Sequence, residues 1–150
     1  LESFLPLFVD VFSDRLAKYM HAAGEKELTR RFTELEFRDL VVRQIEKRFP
    51  DQVSGLQTRI QPDGFVGSGN VRLGILRFSV EVRIGITVVN EKPHAIIQEV
   101  RVGKLFVPGP LKRMLEDRVN ALIDRADYPL KVKQYSLKQG YALISVELKE

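Results

Sequence analysis

The segment from Leu76 to Val89 restricts the fold more than any other part of the chain. Its even positions Leu76, Phe78, Val80, Val82, Ile84, Ile86 and Val88 are all apolar, whereas the odd positions from Arg77 to Thr87 carry Arg, Ser, Glu, Arg, Gly and Thr. Successive side chains of a strand point to opposite faces, so this period of two sorts into one dry and one wet face. A helix would scatter the same apolar set around all sides. At about 3.3 Å per residue the segment spans roughly 45 Å, well beyond the usual strand of about 3–10 residues. Such a strand has to coil, bend or bulge because twist accumulates along it. Gly85 is the candidate bend.

Helical spacing appears on both sides of this strand. Leu5, Phe8, Val9, Phe12, Leu16, Tyr19 and Met20 form one stripe, opposite Asp10, Asp14 and Lys18, and Gly24 ends that helix. A second helix is predicted over residues 36–49 on the stripe Phe37, Leu40, Val41, Ile45 and Phe49. Thr33 and Glu36 stand at capping-box spacing, and Pro50 stops the helix. Residues 25–32, between the two helices, read as a charged connector. Strands follow at Val53–Gln61, at 65–73, where Gly67 and Gly69 thin the pattern, and at 94–102. Pro62-Asp63-Gly64, Gly74 and residues 90–93 mark the turns. Pro108-Gly109-Pro110 opens a third helix with the stripe Leu111, Met114, Leu115, Val119, Leu122 and Ile123. Leu130–Lys138 and Tyr141–Leu148 close the chain as a hairpin around Gln139-Gly140. The expected order is α-α-β-β-β-β-α-β-β. This predicts an α+β fold in which a long, curved antiparallel sheet wraps around a helix, with two N-terminal amphipathic helices. The length of 150 residues favours one soluble domain, 1–31 being the N-terminal helix and connector and 32–150 the core.

Candidate chemistry is sparse. With no cysteine the chain has no disulfide, no thiol chemistry and no cysteine-held zinc or iron–sulfur site. His21 and His94 are 73 positions apart and read as structural or surface residues. The carboxylate pairs Glu34/Glu36, Glu116/Asp117 and Asp124/Asp127 lie among Lys and Arg and read as solvated faces rather than acid–base dyads. Gly67-Ser68-Gly69 is a fragment of a glycine-rich loop inside a strand pattern, where a bulge or close packing explains it better than phosphate binding. No catalytic residue, metal site or cofactor is therefore nominated, and no enzyme is expected. The net charge of +4 is mild. Arg30-Arg31 and Lys131 and Lys133 with Tyr135 could touch phosphates, but no aromatic–basic strand pattern accompanies them, and no nucleic-acid partner is expected. No stretch reaches the roughly 18–20 apolar residues of a membrane span. The chain begins at Leu1 rather than Met, so localisation stays open. It is extracytoplasmic or membrane-associated if a signal or anchor precedes Leu1, and cytoplasmic otherwise.

The apolar surface carries more information. A helix over residues 111–126 is only about 24 Å long at 1.5 Å per residue, roughly half the span of the Leu76–Val89 strand. If the helices cover the sheet completely, these apolar faces are simply a core; if the curved sheet is longer than the helix it embraces, an apolar groove remains for a ligand, a partner or a longer helix to cover.

The run Val102-Gly103-Lys104-Leu105-Phe106-Val107-Pro108 leading into the third helix and closing hairpin resembles bacterial proteins related to the tubular lipid-binding superfamily, of the YpmS-like and LmeA-like groups. Gln61-Pro62-Asp63-Gly64-Phe65, followed by long glycine-punctuated strands, carries the same resemblance, which covers roughly residues 33–150. It implies a curved antiparallel sheet around a long helix, with an apolar interior that holds lipid acyl chains. On that reading the ligand contacts Phe78, Val80, Val82, Ile84 and Ile86 on the strand and Leu111, Met114, Leu115 and Leu122 on the helix. The implied partner is a lipid or another apolar small molecule, with a membrane surface as a second candidate. The first helix has no counterpart in the resemblance; it would cover the groove, mediate a homodimer or lie on a membrane. The alternative function is an interaction or scaffold domain whose apolar surface is covered by a partner or a second subunit.

Overall fold

The computed structural model describes residues 4–149, apart from the side chains of Phe4, Leu5 and Val41. Leu5 of the first stripe and Val41 of the second thus fall outside the described side chains. The chain begins with α1 (Phe4–Ala23), β1 (Glu27–Thr33), α2 (Glu34–Phe37) and α3 (Arg43–Arg48). It continues through β2 (Val53–Gln61), β3 (Gly64–Leu73), β4 (Leu76–Val89), β5 (Lys92–Val102) and β6 (Leu105–Phe106), then α4 (Gly109–Arg125), β7 (Leu130–Lys138) and β8 (Tyr141–Leu148). The fold is α+β with large, open antiparallel sheets. One sheet has the order β2-β3-β4-β5-β6 and the other β1-β8-β7.

Two expectations are corrected. Residues 25–32 are not a connector: Glu27–Thr33 forms β1 and pairs with β8 from Glu27↔Glu147 to Thr33↔Tyr141. Its charges hid it. Leu28 and Phe32 alternate on its inner face, but only Phe32 is fully buried, and the Arg30 guanidinium lies 5.3 Å from the centre of the Phe32 ring. Its partner strand is more than a hundred residues away, so no local pattern announces it. The second helix is also not continuous. A π-helical turn, Arg38–Val42, separates α2 from α3. The predicted capping box is present: the Thr33 hydroxyl accepts from the Glu36 amide at 3.2 Å, and the Glu36 carboxylate accepts from the Thr33 amide at 3.3 Å.

The two sheets are stitched at two junctions. At one, the Glu34 carboxylate accepts from the Ile60 amide at 2.8 Å, and the Gly140 amide donates to the Ile60 carbonyl at 2.8 Å. At the other, the Val132 amide donates to the Glu91 carbonyl at 2.8 Å. Glu91 sits in the tight β4–β5 turn, where Asn90 and Glu91 both have positive φ, as a type I′ hairpin requires. Lys133 hydrogen-bonds the Glu91 carboxylate and holds it below its usual carboxylate range.

Packing is densest between α1, α2 and the β1-β8-β7 sheet. Leu16, Ala17, Met20, Phe32, Phe37, Ile60, Leu130, Ala142 and Val146 form one buried cluster. Phe37 is its hub, with the rings of Phe8, Phe12, Phe32 and Phe65 between 5.3 and 6.1 Å away. Aromatic pairs at such distances contribute about 0.5–1.5 kcal/mol each beyond area burial. Of the α1 stripe, Leu16 and Met20 are buried, Phe8, Val9 and Phe12 are partly buried against the core, and Tyr19 stays half-exposed; Val11 and Ala17 are buried beside them.

Candidate functional site

The β4 face identified by its alternation lines a partly open cavity of about 320 Å³. Val80, Val82, Ile84 and Ile86 form its floor with Phe65, Gly67 and Val71 of β3. Phe8, Val9 and Phe12 of α1 roof it, Leu115 and Val119 of α4 close one flank, and Val132, Leu137 and Ile144 of the second sheet close the other. Among the described residues, no Asp, Glu, Lys, Arg or His lines the wall; its polar groups are neutral side chains such as Ser13, Gln57, Thr58 and Tyr135. The lining runs from Phe65 to Val71 along β3, which at 3.3 Å per residue is about 20 Å.

Three β-bulges shape this lining. They interrupt pairing between Ser54 and Gln57 in β2, opposite Arg83 and Ile84 in β5, and between Val132 and Gln134 in β7. Each falls between two lining residues three positions apart: Val53 and Leu56, Ile97 and Val100, Val132 and Tyr135. Strict alternation would send one member of each pair to the far side; the extra residue returns it to the cavity and curls the strand. In β5 the extra residue is Gln98, beside Gly85. The expected bend is therefore found, but in the neighbouring strand. The two glycines of β3 act differently. A Cβ on Gly69 would come within 2.7 Å of Leu56 Cδ2, which is close packing, whereas a Cβ on Gly67 would meet nothing within 4 Å. Gly67 keeps part of the cavity open.

Helix α4 explains where the remaining predicted residues fall. Lys112, Glu116, Asn120 and Asp124 follow one another at i, i+4 spacing and bond the edge of β5. Lys112 Nζ donates to the Gln98 carbonyl at 2.9 Å, and the Glu116 carboxylate accepts from the Ile97 amide at 2.7 Å. The Asn120 amide both accepts from the Ala95 amide and donates to its carbonyl, at 2.8 and 3.0 Å. Asp124 Oδ1 lies 2.6 Å from Nε2 of buried His94. These side chains stand in for a neighbouring strand and satisfy an otherwise open sheet edge. With that row turned to β5, the row Leu115, Val119 and Ile123 points inward, and Leu111, Met114 and Leu122 point outward. Of the residues expected at the ligand, the structure therefore brings together Val80, Val82, Ile84, Ile86 and Leu115. Phe78 stands just past the lining, paired with Val71. Leu111, Met114 and Leu122 lie outside the cavity and are exposed.

The carboxylate pairs resolve into structural parts. Glu34 and Glu116 hold strand amides, Glu36 caps a helix and pairs with Arg30 at 2.8 Å, and Asp127 pairs with Lys149 at 3.0 Å. Lys92 Nζ donates to the carbonyls of Ile123, Asp124 and Ala126 at 3.3, 2.9 and 2.7 Å, which ties down the C-terminus of α4. Burial pushes the Tyr128 hydroxyl up to about 12, with the nearby Asp10 charge adding to the effect. Among the described residues, no group of three or more His, Cys, Asp or Glu could hold a metal ion, and no helix is long and apolar enough to cross a membrane.

No protein-family model and no curated protein sequence matches this chain.

The floor of the cavity is legible in the sequence, whereas the roof and the far flank are not. Their residues come from α1, β2, β5, β7 and β8, and only long-range pairing assembles them. One local signal was available: apolar positions three apart inside strand patterns, at Ile97/Val100 and Val132/Tyr135, are what a bulge produces.

Proposed function

We propose that the chain is a non-catalytic carrier that holds an apolar chain, such as the acyl chain of a lipid, in its cavity, in the manner of the tubular lipid-binding proteins it resembles. The observation that supports this is the cavity of about 320 Å³ whose wall, among the described residues, holds no charged side chain. Small-molecule sites typically occupy about 300–1,000 Å³. Apolar cavities too poor in polar partners to hold water take up apolar molecules instead. A lining about 20 Å long along β3 gives room for an extended hydrocarbon chain. The neutral side chains Ser13, Gln57, Thr58 and Tyr135 offer few anchoring points for polar groups.

Native mass spectrometry of the purified protein, with lipid extraction and titration by a fluorescent fatty acid, tests this. A bound apolar adduct or saturable uptake at one site per chain is expected, and Val82→Phe should lose it while keeping the fold. A wild-type protein that carries no lipid and takes up no fatty acid would overturn the reading.

A further inference from the structure

A second apolar feature lies outside the cavity, at one end of the five-stranded sheet. The β3–β4 turn joins Leu73 to Leu76 through Gly74 and Ile75, and Gly74 alone takes the positive φ of a type II′ hairpin. Ile75 is 93% exposed, and Leu73 and Leu76 on either side are exposed as well. The turn geometry needs the glycine but nothing in the fold needs the isoleucine. The β5–β6 turn lies at the same end, since Val102 pairs with Val80 while the β3–β4 hairpin closes at Leu76. It presents Leu105, 76% exposed, and Phe106, also exposed. Single exposed apolar residues are ordinary; several on neighbouring turns at one end mark an interaction surface.

Charge identifies the partner. Residues 64–80 and 102–115 contain Arg72, Arg77, Lys104, Lys112 and Arg113 and no Asp or Glu, although the whole chain carries only +4. The rest of the chain is close to neutral, and Arg72, Arg77 and Lys104 stand next to the apolar turn residues, whereas Lys112 is held on the Gln98 carbonyl. The acidic residues nearest this end are largely engaged: Glu81 with Arg101, Glu99 with Arg83, and Glu116 with the Ile97 amide. Asp51 borders a small polar depression with Arg72 and Arg77. Apolar tips ringed by Lys and Arg match the interface of an anionic bilayer, which takes the apolar groups below the headgroups and the cations at them.

We infer that the Leu73–Leu76 hairpin tip, with Leu105 and Phe106 beside it, docks the protein on an anionic lipid membrane. Val71 and Val80 line the cavity only a few residues behind the tip, so docking sets that end of the cavity against the bilayer. A role in moving lipid to or from the cavity rests on the carrier function proposed above; the docking itself does not.

Co-sedimentation of the full chain with phosphatidylcholine vesicles, and with the same vesicles containing phosphatidylglycerol, tests the inference. Binding to the anionic vesicles that weakens with added salt is expected. Ile75→Asp combined with Leu76→Ser should reduce it by about tenfold or more. Leu35→Asp, at an exposed apolar residue of α2 far from this end, should leave binding unchanged. Absence of wild-type binding, or equal losses in the two variants, would overturn the proposal. A hairpin variant that turns a dimer into a monomer while vesicle binding persists would overturn it too, by assigning the tip to a second copy of the chain. Fatty-acid uptake without vesicles separates the two proposals. Uptake without vesicle binding removes docking alone, and vesicle binding without uptake removes the cavity reading alone.

Discussion

The two sheets put similar apolar strands to opposite uses. Around β1-β8-β7, side chains interlock until Phe32, Met20 and Ile60 are completely buried, and the Phe37 ring meets four others. Along β3 and β4 of the larger sheet, Val80, Val82, Ile84 and Ile86 face open space. Apolar content does not separate the two regions. Filling does: four other aromatic rings meet around Phe37, which itself borders the cavity, whereas β4 presents only Val and Ile to the open space, with the bare backbone of Gly67 beside them. A side chain with empty space on one side lacks dispersion partners there, so the same substitution should have different consequences in the two regions.

The contrast is broken most strongly at its filled end. Phe37→Ala should lower unfolding free energy by about 3–5 kcal/mol, read by urea denaturation, whereas Val82→Ala at the cavity should lower it by less than about 1.5 kcal/mol. Equal losses would show that the cavity collapses in solution. Lys92→Met should destabilise by about 1.5–3 kcal/mol, because three carbonyls at the end of α4 lose a charged donor. Its effect should exceed that of Lys133→Met, whose ion pair with Glu91 is exposed.

Two substitutions sharpen the boundary of the site. Val82→Phe inserts a ring into the void, changes stability by less than about 1.5 kcal/mol and removes fatty-acid uptake. Met114→Glu, on the outward row of α4, leaves uptake intact; loss of uptake there would place the ligand outside the cavity. A smaller effect concerns pH. The folded protein holds the Tyr128 proton more tightly than the unfolded chain does, with a pKa pushed up from 10.0 to about 12. The stability this group lends is complete below pH 10 and is lost as pH rises through about 12. Tyr128→Phe should flatten that decline in alkaline melting curves. Smallest of all, Ile75→Asp should shift stability by no more than about 0.5 kcal/mol, because the side chain packs on nothing.

Much of the fold was legible because its cues are local. The alternation of β4, the capping box at Thr33 and Glu36, the Gly and Pro turns and the α4 stripe all follow from spacing along the chain. The site was legible only in part. In α4, apolar residues at 111, 114, 115, 119, 122 and 123 form a broad stripe, and period alone cannot tell which edge of it faces inward. The polar row Lys112, Glu116, Asn120 and Asp124 decides that by bonding β5, and its meaning depends on β5 having an unpaired edge.

By itself, the sequence determined that β4 has one dry face and that its neighbours pair with it in an antiparallel meander, because side-chain direction in a strand depends only on parity. Only the tertiary structure decided what lies over that face. The pairing of β1 with β8, the three bulges, the rotation of α4 and the placement of α1 are each fixed by contacts between residues far apart in the chain. Together they partly cover the dry face and leave a space that the described side chains do not fill.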